Sequence, residues 1–105
     1  MNPMNRDQII SMLRAHETEL RAAGVLSVSI FGSAARGENL ADSDIDVAVR
    51  LGENFSKPGF DYFSSLDHLE ARLCEILGCK VDVVEEPVRK GRFQSRIDMD
   101  RALAF

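Results

Sequence analysis

Apolar positions along the chain switch between two periods, and the switches mark its elements. Over residues 6–22, Ile9, Ile10, Leu13 and Leu20 fall near one face of a helix; Asn5 and Gln8 have the spacing of a capping box, and Gly24 ends the run. Residues 25–31, VLSVSIF, alternate apolar and polar from Leu26 to Ile30 and are predicted to form a strand. GSAARG follows as a turn with room for one helical turn, and Glu38 to Ser43 reads as a polar loop. Residues 45–51, IDVAVRL, alternate again as a second strand, and the glycines and proline of 52–60 predict a loop. Over 61–77, Phe63, Leu66, Leu69, Leu73, Ile76 and Leu77 form one helical stripe, expected to be core, which Gly78 caps. Residues 80–85, KVDVVE, read as a short third strand ended by Pro87, and Ser95 with Asp98 predicts the cap of a last helix running to Phe105.

The resulting order, αβ(α)βαβα, predicts an α/β domain of the α+β type: a small mixed sheet of about three strands flanked by helices, with the strand order left open by spacing alone. The 105 residues suggest a single domain over 1–105, large enough to hide roughly 65% of its unfolded surface. A charged fraction of 29% beside 45% apolar residues excludes a wholly disordered chain. The apolar runs are too short to span a membrane, and the N-terminus lacks the basic start and apolar stretch of a signal peptide, so the expected location is cytoplasmic. Cys74 and Cys79 have no CxxC spacing and the chain has only 2 His, which predicts reduced, partly buried thiols rather than a zinc site. A net charge of −4 argues against nucleic acid as the first partner. The charge is uneven: residues 1–79 carry 7 basic and 12 acidic groups, whereas Arg89, Lys90, Arg92 and Arg96 lie close together near the end. That basic set reads either as solvated surface or as a contact for phosphate or a partner.

The chemistry concentrates in GSAARGENLADSDID, residues 32–46. Gly32 lets a backbone come close to a phosphate, Ser33 adds a hydroxyl, and successive N–H groups of such a turn can form an anion-binding concavity. Gly-Ser after a strand is by itself often just a turn; the weight comes from Asp44-Ile45-Asp46 at the head of the next strand. Residues i and i+2 of a strand share a face, so Asp44 and Asp46 would project together, their Cα atoms roughly 6.5 Å apart. Like charges so placed call for a counter-ion, and hard oxygen donors suit Mg²⁺ together with substrate phosphates. Asp82 sits between apolar strand residues, a position strands disfavour for Asp. Alone it reads as an outward residue of an edge strand; beside the pair at 44 and 46 it becomes a third member of a metal site.

GSAARGENLADSDIDVAV fits GSxxRGxxxxxSDxDxxV, and with LGCKVDVVEEP downstream the chain resembles the DNA polymerase β-like nucleotidyltransferases, in particular their minimal nucleotidyltransferase (MNT) branch. The resemblance covers residues 26–87 closely and the terminal helices loosely. It implies the polymerase β-like nucleotidyltransferase fold, with Gly32 and Ser33 holding a nucleoside triphosphate, Asp44 and Asp46 binding catalytic metal, and Asp82 completing the site and helping to activate an acceptor hydroxyl. Arg36 matches the pattern too, and either meets a phosphate or pairs with a nearby acid. The implied cofactor is Mg²⁺, two ions, with ATP as the substrate. Two such ions about 3.5–4 Å apart can clamp the attacking and leaving oxygens of an in-line displacement. The branch is similar to antitoxins paired with HEPN-domain toxins, which implies adenylyl transfer to a toxin tyrosine and a homo- or hetero-oligomeric setting. The readings weighed against it are a small-molecule nucleotidyltransferase of the aminoglycoside-modifying kind and an antitoxin acting by contact alone.

Overall fold

A computed structural model describes residues 4–40, 43–55 and 61–105. The predicted loops over 38–43 and 52–60 fall partly on 41–42 and 56–60, outside the described residues. In chain order the elements are α1 (Arg6–Ala15), α2 (Glu17–Ala22), β1 (Val25–Phe31), α3 (Gly32–Arg36), β2 (Ile45–Leu51), α4 (Tyr62–Leu77), β3 (Val81–Glu85), α5 (Gly91–Asp100) and β4 (Ala102–Leu103). The sheet runs β3-β2-β1-β4; β1 is antiparallel to β2 and β4, and β2 is parallel to β3 across the α4 connection.

Each strand sorts its side chains to two faces. Ile45, Val47 and Val49 of β2 join Val28 and Ile30 of β1 in the main core, beneath Ile9 and Leu13 of α1 and Leu69, Leu73, Ile76 and Leu77 of α4. The intervening residues face the other way, where Phe31 and Ala48 pack on Ile97 of α5, with Val84 against them. Asp46 shares that second face with Ala48 by strand alternation. The N-terminal helix starts as predicted, with Asn5 Oδ1 accepting from the Gln8 amide and Gln8 Oε1 accepting from the Asn5 amide.

Five expectations are corrected. The single helix over 6–22 is two, parted at His16, which closes α1 and opens α2. Leu13 and Leu20 stay in phase across the break because they are seven residues apart, so apolar spacing could not reveal it. The last helix starts at Gly91 rather than at a Ser95 cap, and stops at Asp100, after which β4 adds a fourth strand where three were expected. Leu26 is 54% exposed, because the β1–β2 register shifts between Val25 and Ser27 and turns it away from the core. Phe63, at the outer end of the α4 stripe, is 70% exposed and meets only the edge of the Tyr62 ring among the described aromatics. Cys74 and Cys79 are both free and half-buried, as expected. No helix among the described residues is long and apolar enough to cross a membrane.

Candidate active site

Strand pairing brings the acids together. Asp46 and Asp82 are in-register neighbours on the parallel strands β2 and β3, and such neighbours point to the same face, about 4.8 Å apart along the hydrogen-bonding direction. Asp44 stands just before β2, two residues from Asp46. Asp44 and Asp46 are half-buried and Asp82 is exposed. The Asp46 carboxyl is pushed above the ordinary carboxylate value, first by burial, then by the charges of Asp82 and Asp44, with Arg36 opposing. Among the described residues only Lys80 pairs with this group, its Nζ 3.8 Å from Asp44 Oδ2 on the solvent side.

Gly32 fixes how the acids meet the turn. It opens α3 at φ +71, in the left-handed region, and a Cβ built there would lie 2.4 Å from Asp46 Oδ2. The missing side chain of one motif residue is thus the space occupied by the carboxylate of another. No side chain caps the start of α3, so its first N–H groups lack an acceptor of that kind. Gly32→Ala is expected to cost about 1–2 kcal/mol for an alanine in left-handed backbone. It should also swing the Asp46 carboxylate aside, since that flexible end can yield where backbone cannot. Denaturant melts and a turnover assay check both effects; loss of activity should exceed what the melt predicts.

Beside Gly32 and Asp46 opens a cavity of about 610 Å³, lined also by Phe31, Ser33, Arg36, Phe93, Arg96, Met99 and Asp100. Arg36 takes the ion-pair reading: its Nε donates to Glu38 Oε2 at 3.1 Å and its Nη1 to Asp100 Oδ2 at 2.7 Å. It ties α3 to α5 across the cavity wall. Of the basic set, Arg96 lines the cavity, whereas Arg89, Lys90 and Arg92 are exposed outside it. Sequence reading passed over Phe93, Met99 and Asp100. Their spacing with Arg96, one stripe of a polar helix, was the available signal.

A buried polar cluster holds α5 in place. Glu86 is 4% exposed. Its carboxylate accepts from both Nη atoms of Arg101, at 2.8 Å from Nη1, and from Gln94 Nε2 at 2.7 Å. Arg101 Nη1 also donates to the buried Ser29 Oγ at 3.0 Å. The guanidinium holds the Glu86 carboxyl below the ordinary carboxylate value. The cluster joins the segment after β3 to β1 and to α5, and so sets the distance between Phe93, Arg96 and Asp46.

The oxygen donors suit a divalent cation bound from one side. Among the described residues no three acidic, His or Cys side chains close on one ion unaided. Mg²⁺ is commonly held by one or two carboxylates plus substrate phosphates, and an acidic group bordering an open cavity matches that habit.

Comparison with known proteins gives the family and the fold. The family model described as nucleotidyltransferase domain matches residues 13–104. The protein adenylyltransferase MntA of Thermococcus cleftensis is 40% identical over 86 residues, which is 80% of this chain and 80% of that protein. A solved structure of a candidate minimal nucleotidyltransferase matches with a TM-score of 0.74 at 26% identity, covering 94% of this chain and 95% of that one. A chain of the complex between a tri-AMPylated Shewanella oneidensis HEPN toxin and its MNT antitoxin shares the fold, with a TM-score of 0.60 at 17% identity over 91% of this chain and 71% of that one.

Proposed function

The chain belongs to the nucleotidyltransferase domain family and is an enzyme of that type, and from this premise we propose that it transfers AMP from ATP, with Mg²⁺, to a tyrosine hydroxyl of a cognate HEPN-domain toxin, acting as its antitoxin. The observation that carries the reading is the pairing of Asp46 with Asp82 in register, two residues beyond Asp44, against the side-chain-free Gly32 at the edge of an open cavity. The relative named a protein adenylyltransferase and the AMPylated toxin of the similar complex support the choice of donor and acceptor.

The chemistry asked of the residues is modest. Gly32 admits a triphosphate close to the backbone and Ser33 offers it a hydroxyl. Asp44, Asp46 and Asp82 would hold Mg²⁺, which supplies neutralisation of pyrophosphate charge and acidification of the acceptor hydroxyl. In the transfer the phenol oxygen forms a bond to the α-phosphorus, the bond from that phosphorus to the bridging oxygen breaks, and pyrophosphate leaves. Asp82, the most exposed of the acids, would help to activate the phenol, whose proton leaves as the new bond forms. Positioning and electrostatic stabilisation do most of the work in such transfers. The cavity is open, so a docked protein surface would complete its wall and exclude water, which strengthens every charge interaction inside.

The test is intact-mass measurement of the toxin encoded beside this chain after incubation with the enzyme, ATP and Mg²⁺. A gain of one or more AMP units, absent with Asp82→Asn, is expected. An unmodified toxin, together with efficient transfer to an aminoglycoside or similar small alcohol, would replace this reading with the small-molecule one.

A further inference from the structure

Among the described residues that line the cavity, one cation is uncommitted. Arg36 spends its guanidinium on Glu38 and Asp100. Lys80 leans on Asp44 outside the cavity lining. Arg96 also lines the cavity, is exposed, and is in none of the ion pairs or side-chain hydrogen bonds found among the described residues.

Its helix face has a matching gap. Helix α5 buries one residue, Ile97, against Phe31 and Ala48, while Gln94 and Arg101 engage Glu86. The stripe Phe93, Arg96, Met99, at i, i+3 and i+6, is left facing the cavity. Met99 is 85% exposed and Phe93 36%, the latter resting edge-on against Phe31 at 5.9 Å between ring centroids. A cation between two apolar groups, across a cavity from Gly32 and Ser33, fits a ligand that is anionic over part of its length.

We infer that Arg96 is a substrate-contacting residue that binds the triphosphate of the nucleotide. This rests on the proposed nucleotide chemistry of the site and assigns the contact to a helix outside the motif. Guanidinium forks match phosphate oxygens in shape as well as charge, and the neutral phenol of the acceptor would give Arg96 no comparable partner.

The experiment compares the parent chain with Arg96→Ala, Arg96→Lys and Arg92→Ala, the last removing the same charge from the same helix outside the cavity. Binding of Mg²⁺-ATP, inorganic tripolyphosphate and adenosine is measured by calorimetry, and melting is followed without ligand. Loss of one charge-assisted contact weakens binding by roughly tenfold to a hundredfold. Arg96→Ala should lose that much affinity for ATP and for tripolyphosphate, with adenosine and the ligand-free melt unchanged. Arg96→Lys should recover part of it, and Arg92→Ala should stay within about twofold of the parent, well short of a lost contact. If the parent binds ATP and Arg96→Ala binds it equally well, the assignment of Arg96 falls and the nucleotide reading stands. If the parent binds no Mg²⁺-nucleotide, both fall. Equal losses for adenosine and tripolyphosphate would make Arg96 a determinant of cavity shape and overturn the phosphate assignment.

Discussion

Asp46→Asn is expected to lower AMP transfer by on the order of a thousandfold or more, the scale seen when one preorganised electrostatic group is removed from a transition state, and at the same time to raise the melting temperature of the metal-free protein. The two effects have one cause. Asp46 is half-buried and flanked by Asp44 and Asp82, and its carboxyl sits above the ordinary aspartate value. For a carboxylate raised in this way, the contribution to stability is full below the unfolded value and is lost as pH rises through the folded one, so at neutral pH the ionised group opposes folding. Asparagine keeps the shape and removes the charge. Turnover with the proposed toxin acceptor and thermal melts in chelator check the pair of effects. Near-normal transfer would remove Asp46 from the reaction, and a lower metal-free melting point would contradict the repulsion inferred from its neighbours.

Arg101→Met is the change expected to cost most stability. Among the described residues it leaves the buried Glu86 with Gln94 as its remaining side-chain donor, and removing one partner of a buried pair typically costs about 3–5 kcal/mol. Small domains are stable by only about 5–15 kcal/mol in all. The double variant Glu86→Leu/Arg101→Met should regain much of the loss, since an apolar pair leaves no stranded charge. The pH response separates the pair from simple packing. In the parent, Glu86 is held below the ordinary glutamate value, chiefly by the hydrogen bond from Arg101. Its contribution is therefore present above that value and fades as acid carries the pH through the lower folded value. In Arg101→Met the desolvated carboxyl should instead favour its protonated form, so mild acid should narrow the gap between variant and parent. Denaturant titrations at neutral and mildly acidic pH would show this; a gap that does not change with pH would assign the loss to packing alone. Either result bears on the site, because this cluster carries α5.

What the chain declares locally was readable. The capping box at Asn5 and Gln8, the alternation of β2 and the Asp44/Asp46 pair each depend on a few adjacent residues and on the two side-chain periods. The elements that went unread depend on contacts elsewhere. Helix α5 begins after Lys90, which makes no side-chain cap, so no polar residue announces its start, whereas Ser95 lies inside it. Strand β4 is two residues long, too short to alternate, and is a strand only because β1 offers an edge. The same holds for the site. The acids were evident from spacing, but the cavity wall of Phe93, Arg96, Met99 and Asp100 requires α5 to cross the sheet beside α3, and the salt bridges that bring it there join residues as far apart as Arg36 and Asp100. Glu86 reads as a charged residue before a proline; only the fold makes it an interior one.

The parallel pairing of β2 with β3 has a consequence for the order of folding. The strands that carry Asp46 and Asp82 are separated in the chain by the whole of α4, and no local segment contains both. Pairing β1 with β2 places Asp44 and Asp46 without any opposition from Asp82; that opposition arises when the loop through α4 closes and β3 docks at the sheet edge. Long-range closure of this kind is the slow and entropically costly part of assembling a sheet. The electrostatic cost of gathering the acids therefore falls on the same late step, and local opening of β3 relieves it. A cation that bridges the two strands would act on β3 as a clasp, favouring the docked strand over the open one.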